Sequence, residues 1–344
     1  MTRPDTNPIA LRGQAAGVAP SRSRGDGCLV QTGGTVEENG SSVVHPDRIH
    51  LPDQLALAEM RERVEQALEE VDFPAPPGAE RLAEAARYAL LGGGKRVRPV
   101  LVIATAQALG MPAEFVLPTA CAIELLHTNS LIVDDLPAMD NHAKRRGRPT
   151  LHRLYGDDVA ILAGCALLSE SQRLILEHQP GPAELRNRVL REVLDATGTP
   201  GMVAGQYLDV TKYRPRDEVD LERMQTLKTG VLLVACVRCA TLLAEGRIDP
   251  VLDRFAAALG SLFQVVDDIL DETGKARWLG KIPGSDRRAG KLTYVTMFGL
   301  RRARARASEL HQECIASLEE TESSAPGPVR PLREIADLVH RRES

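Results

Sequence analysis

The chain has 344 residues, 43% of them hydrophobic and only 3% aromatic, with a formal charge of −4. That length holds one large domain or two ordinary ones, and the acidic balance excludes a general nucleic-acid binder, which needs a basic surface. A core of this composition is mostly Leu, Ala and Val, and no apolar run is read as reaching the ~18–20 residues of a membrane span, so the chain reads as soluble, without membrane insertion.

In chain order, residues 1–52 are rich in Gly, Ser, Pro and Arg, lack periodicity, and read as a disordered tail. Asp5, Asp26, Glu37 and Glu38 count against a transit peptide, and the lack of an apolar stretch counts against a secretory signal. Residues 53–344 read as one domain. Asp53 can cap a first helix through about Val71, with Leu55, Leu57, Met60, Val64 and Leu68 on one face. A second helix, 79–91, stops at Gly92-Gly93-Gly94. Helical periodicity continues at 97–109, 114–135, 156–178, 183–196, 199–211, 218–243, 248–271, 291–320 and 329–341, with no sustained period-two alternation. Long apolar helices with short connections predict an all-α bundle.

The six cysteines (Cys28, Cys121, Cys165, Cys236, Cys239 and Cys314) are scattered, as expected of reduced thiols in a cytoplasmic protein. Cys236 and Cys239 have CxxC spacing, but no second pair accompanies them and the surrounding pattern is helical, so packing is the simpler reading.

Two acidic clusters stand out, Asp134-Asp135-Leu-Pro-Ala-Met-Asp140 and Asp267-Asp268-Ile-Leu-Asp271. Each follows an apolar helical stretch, where carboxylates are costly unless something positive neutralises them. Pro137 disfavours helix at Leu136, so the first cluster falls at a helix mouth, with Asp140 folding back from the following turn. His127 lies about two turns below Asp134 on the same face. In the second cluster, Asp267 and Asp271 share a helical face, where like charges repel unless a cation binds between them. Gln264, one turn before Asp268, can add an uncharged hydrogen bond. A solvated acidic surface is the plainer reading of either cluster alone. Oxygen-rich sites flanked by cations suit Mg²⁺ and a phosphate-bearing substrate. The cations are Lys95 and Arg98, after the glycine turn, then Arg145-Arg146, Lys228-Thr229, Lys281 and Lys291. Each alone reads as surface charge; together they form a constellation.

These segments, GGGKRVRP, SLIVDDLPAMDN with RRGRPT, GQYLD, LKTG, FQVVDDILD and LGK…GKLTY, resemble in kind and order the trans-prenyltransferases that make geranyl, farnesyl and geranylgeranyl diphosphate. The similarity runs from about Leu51 to the C-terminus. The resemblance implies an isoprenoid-synthase-type helical bundle around a central apolar cavity, acting as a homodimer. It further implies that Asp134, Asp140 and Asp267 are Mg²⁺ ligands, supported by Asp135, Asp268 and Asp271 directly or through water. By the same resemblance Arg145, Lys228, Thr229, Gln264, Lys281 and Lys291 hold the allylic diphosphate, and Lys95, Arg98, His127 and Arg146 hold isopentenyl diphosphate. Gln206 and Asp209 match positions that orient Lys228. Three Mg²⁺ ions and these cations would stabilise the departing diphosphate of an allylic substrate, leaving a carbocation for the isopentenyl double bond to attack.

Several residues depart from the family pattern. Val133 replaces His or Phe, His142-Ala143 replace acidic residues, Cys165 replaces an Asp, and Ser169-Glu170 stand where apolar residues are common. Asn129 lies five residues before Asp134, at the level where an aromatic side chain shortens the product; the smaller Asn implies a twenty-carbon product, with a fifteen-carbon one next. Two rivals remain. A class I terpene cyclase would not need the second diphosphate clamp, and a non-catalytic regulatory subunit would not need the intact aspartates.

Overall fold

The computed structural model of the chain describes residues 55–211, 213–274 and 291–342. The expected tail, 1–52, and Lys281 lie outside the described residues, as does Cys28. The described residues belong to one unit, His50–Ser344.

Every long helix expected from periodicity forms, except that 291–320 is divided. In order these are α1 (Leu55–Glu69), α2 (Glu80–Leu90), α3 (Val97–Ala108) and α4 (Ala113–Asp135). A two-stranded ribbon, β1 (Lys144–Arg145) and β2 (Arg148–Pro149), leads to α5 (Leu151–Tyr155) and α6 (Asp157–Arg173). Then come α7 (Ala183–Thr197), α8 (Met202–Val210), α9 (Glu218–Gln225), α10 (Val231–Glu245) and α11 (Pro250–Thr273). The chain closes with α12 (Tyr294–Phe298), α13 (Leu300–Glu322) and α14 (Arg330–Arg341). Two π-helical turns, Leu174–His178 and Thr226–Gly230, extend α6 and join α9 to α10.

Three features depart from the sequence reading. The segment 291–320 is not one helix: a Thr293–Thr296 capping box starts α12, and Gly299, at φ +82°, separates it from α13. The ribbon and α5 carry too few residues to show a period. Their turn is instead a backbone feature, with Arg146 at φ +52° and Gly147 at φ +78°, the two positive values of a tight hairpin turn. The third correction concerns hydropathy. Three helical stretches, 113–135, 157–178 and 218–245, are long and apolar enough to cross a membrane by length and composition. Counting uninterrupted apolar runs missed them, because small and uncharged polar residues lie between the hydrophobic ones.

The core forms where those apolar residues meet. α3 is buried continuously from Pro99 to Ala106, as expected of a helix apolar all round. α14 is its opposite, burying Leu332, Ile335, Ala336 and Val339 at one-face spacing. Cys236 and Cys239 are buried in α10 as free thiols, and burial pushes the Cys236 pKa up to about 12. They serve as packing residues. Two glycines allow α11 to lie against the second π turn: a Cβ on Gly260 would stand 3.0 Å from the Gly230 Cα.

Candidate active site

The first acidic motif sits at the mouth of α4. Leu136 is extended (ψ 151°) ahead of Pro137, which ends the helix at Asp135. The chain then doubles back, with Asp140 N donating to Asp134 O at 3.0 Å and Asn141 N to Leu136 O at 3.1 Å. Asp140 is thereby returned beside Asp134. Burial raises the Asp134 pKa; the charges of Lys228 and Arg145 oppose that shift, and those of Asp140 and Asp135 add to it. Its neighbour has different surroundings. Asp135 is buried and accepts two 2.7 Å hydrogen bonds from Arg145, with the His142 ring 3.1 Å away.

Asp209 joins the motifs of the second half. Lys228, in the π turn, donates to Asp209 Oδ2 at 2.5 Å, and Lys291 donates to the same oxygen at 3.2 Å. The Lys291 ammonium also lies 3.9 Å from Asp140. Burial alone would raise the Asp209 pKa, but the two lysines hold it below the usual carboxylate value. Gly205 makes this proximity possible: a Cβ there would stand 2.3 Å from Lys228 N. α8 and the lysine-bearing turn touch backbone to backbone.

The second acidic motif lies along α11. Asp267 is exposed, 3.7 Å from the Arg342 guanidinium. Asp268 is buried and saturated with hydrogen bonds. Gln225 donates at 2.7 Å and Tyr294 N at 2.8 Å, both to Oδ2, and Gln264 donates to Oδ1 at 2.9 Å. Burial raises its pKa to about 7 despite these bonds. Gln264 thus makes the hydrogen bond expected of it. Asp268 ties α11 to α9 and to the start of α12.

The remaining cations gather around the glycine turn between α2 and α3. Arg98 Nη1 lies 3.3 Å from His127 Nε2. Arg146 donates to Gly93 O, and its guanidinium occupies the space that a Cβ on Gly94 would fill, at 2.5 Å. Lys95 is exposed at the end of this turn. Burial and then the nearby guanidiniums of Arg98, Arg146 and Arg145 push the His127 pKa well below its ordinary value. His127 is therefore neutral at pH 7, able to accept from Arg98. One group escaped the sequence reading: Arg96, Glu124 and Glu65. Its signal was Glu124, a lone charge in the apolar run Cys121-Ala-Ile-Glu124-Leu-Leu.

Asn129 faces α6, where a Cβ on Gly164 would meet its Oδ1 at 2.6 Å. Cys165, next to Gly164, lies on the outer face of α6 and is exposed. Glu170 is buried but paired with Arg173 at 2.6 Å. Neither departure from the family pattern lies among the site residues just described. A cavity of about 60 Å³ opens between α2, α4 and the ribbon, lined in part by Tyr88, Thr128, Asp135, Arg145 and Arg148.

The donor set is carboxylate oxygen, which suits Mg²⁺. Burial works against the charge of Asp134 and the nearby Asp140 charge adds to it, so a cation bound between the two would relieve that cost. Among the described residues no three His, Cys, Asp or Glu side chains converge on one metal-sized shell. Mg²⁺ does not require that, since it keeps waters and usually takes one or two carboxylates plus substrate phosphates.

Comparison with known proteins bears on the chain as a whole. The polyprenyl synthetase family model matches residues 79–326. A dimethylallyltranstransferase of Fischerella ambigua is 41% identical over 299 residues, 85% of this chain and 84% of that protein. The chloroplastic geranylgeranyl pyrophosphate synthase 7 of Arabidopsis thaliana is 42% identical over 271 residues, 77% of each. Among solved structures, the Helicobacter pylori geranyltransferase complexed with magnesium and isoprenyl diphosphate superposes with a TM-score of 0.72 at 31% identity, covering 82% of this chain and 94% of that one.

Proposed function

The chain belongs to the polyprenyl synthetase family and is a short-chain trans-prenyltransferase, and we propose that it condenses isopentenyl diphosphate with an allylic diphosphate, with Mg²⁺, to give geranylgeranyl diphosphate. The observation that carries this reading is the convergence of Asp140, Asp209, Lys228 and Lys291, four residues from four separate motifs, around one carboxylate oxygen and its neighbour. The terpene cyclase and regulatory-subunit alternatives are not favoured.

In this reading Lys228, Lys291 and Arg145 hold the allylic diphosphate, with Thr229 and Gln264 beside it. Their charges are fixed before reaction, so they favour the negative charge that develops as the allylic carbon–oxygen bond breaks. Lys281 would join them. When bound, Mg²⁺ supplies charge neutralisation for the diphosphate oxygens, held by Asp134, Asp140, Asp267 and Asp271. Asp135 and Asp268 already spend their oxygens on protein donors and act behind this set. Asp209 holds the two lysines together on one oxygen and offsets their mutual repulsion in the absence of substrate. Lys95, Arg98, His127 and Arg146 hold isopentenyl diphosphate, whose double bond forms the new carbon–carbon bond. The proton then lost goes to the released diphosphate.

Asn129 supports the twenty-carbon product. Its side chain meets Gly164 where α4 crosses α6, and an aromatic residue there would take up more space than Asn does. The outer face of α6 supports a homodimer: Ile161 and Leu162 are 52% and 54% exposed, Cys165 continues the stripe, and Leu176 lies farther along. A second copy is the occupant expected of that apolar face. The buried free thiols support a cytoplasmic location.

Steady-state kinetics with each substrate varied separately tests the two subsites. Arg98→Lys should raise the KM for isopentenyl diphosphate alone, and Arg145→Lys that for the allylic substrate alone. Equal effects of both variants on both KM values would contradict the assignment.

A further inference from the structure

Arg96 stands between Lys95 and Arg98, yet its guanidinium does not reach toward substrate. Its side chain is fully buried and its backbone is left-handed, at φ +50°, at the N-cap of α3. It donates to Glu124 Oε1 at 2.6 Å, to the two Glu65 oxygens at 3.0 and 3.1 Å, and to Leu90 O at 2.8 Å. One side chain therefore joins the end of α2, the start of α3, α1 and α4. The turn from Gly92 to Arg96 is held from inside by Arg96 and from the ribbon by Arg146.

Stability alone gives little reason for this arrangement. A buried ion pair is often no more stabilising than apolar residues of the same volume. A left-handed backbone at a residue other than glycine is unfavourable and persists where its surroundings over-determine it. What the clamp does fix is direction. Lys95 precedes Arg96 and Arg98 follows it by two residues, so the backbone of Arg96 sets where both cations point.

We propose that Arg96, clamped by Glu124 and Glu65, is a positioning residue for isopentenyl diphosphate: it locks the left-handed turn that aims Lys95 and Arg98 at that diphosphate. The proposal rests on the subsite reading above. It predicts a selective effect, because the allylic subsite is built from the α4 mouth, α8, the second π turn and Lys291, none of which Arg96 touches.

The test separates stability from aim. Arg96→Met alone leaves Glu124 buried without its partner and should lower Tm. The double variant Arg96→Met with Glu124→Met removes both charges and should recover most of that Tm. If Arg96 aims the cations, the double variant still shows a KM for isopentenyl diphosphate raised about tenfold, with kcat and the allylic KM within about twofold of the parent. If the clamp only supports the fold, that KM returns with Tm, and the proposal is overturned. Arg98→Lys is run alongside. Should it leave the isopentenyl KM unchanged, the subsite reading fails and the positioning role with it; a raised KM there and a normal one in the double variant rejects positioning alone. If the double variant does not fold, Arg96→Lys carries the comparison, since an ammonium keeps the charge but cannot span both glutamates and Leu90 O. The same selective KM rise is then expected, and its absence counts against the proposal.

Discussion

Asp267 and Asp268 are neighbours in sequence and opposites in surroundings. Asp267 faces solvent, whereas Asp268 is buried under three donors from α9, α11 and the start of α12. Asparagine at 268 can still accept from Gln225 and Tyr294 N, and its amide can face a flipped Gln264. Asp268→Asn should therefore keep turnover within about tenfold of the parent and leave the half-saturating Mg²⁺ concentration unchanged, while Asp267→Asn should raise that concentration by roughly 10–100-fold. A Mg²⁺ titration of the two variants decides; equal shifts would make Asp268 a ligand after all. The family resemblance put Asp267 among the ligands and Asp268 in support, but local pattern could not show two of the donors that occupy Asp268, because they come from residues 225 and 294, distant along the chain.

His127 gives a second residue-scale prediction. Its pKa is lowered by burial and by Arg98, so the unfolded chain takes up a proton more readily than the folded one. Its contribution is intact above the ordinary histidine value of about 6.5 and is lost as pH falls through that value toward the depressed folded one. Urea midpoints measured against pH should fall on acidification, and His127→Gln should flatten part of that fall. An identical slope in the variant would exclude His127 as its source.

At the scale of elements, helix periods exposed the bundle because burial of one face repeats every few residues. The turn that carries Lys228 was not legible in the same way. Thr226–Gly230 reads as ordinary helix in sequence but winds as a π turn, a geometry often found at functional sites. Its contact with α8 depends on Gly205. Gly205→Ala places a methyl 2.3 Å from Lys228 N, and since no flexible side chain can yield there, the backbones must part. The expected cost is about 1–3 kcal/mol of stability, with a fall in kcat larger than the change in either KM, because the Lys228–Asp209 pair separates. Thermal unfolding and steady-state kinetics test this together; a stable variant with unchanged kcat would show that the close approach is dispensable. Gly92–Gly94 were legible as a helix stop, but Arg146 closing over Gly94 was not, since only the folded ribbon brings residue 146 to residue 94.

At the scale of the whole molecule, the outer face of α6 exposes Ile161 and Leu162 among the described residues. Charged residues at the two most exposed positions, Ile161→Glu with Leu162→Glu, should convert a dimer to a monomer in sedimentation velocity, and a dimer that survives would assign the interface elsewhere. We propose that product length is determined at Asn129, where α4 meets α6. Asn129→Phe should shorten the product to fifteen carbons; an unchanged product would move the floor to another residue. All-α architecture, the two acidic motifs and most of the cations could be read from local pattern, because each is a short segment with its own chemistry. Asp209 beside Lys228 was expected from the resemblance, but the clamp on Arg96 and the joining of Lys291 to Asp209 are properties of packing. They needed the fold.

The most direct test is a product assay on purified protein with labelled isopentenyl diphosphate and dimethylallyl, geranyl or farnesyl diphosphate as primer, each with Mg²⁺ and with EDTA in its place. The account predicts chain elongation to geranylgeranyl diphosphate, abolished by chelation. Elongation that persists in EDTA, or none with any primer, would contradict it.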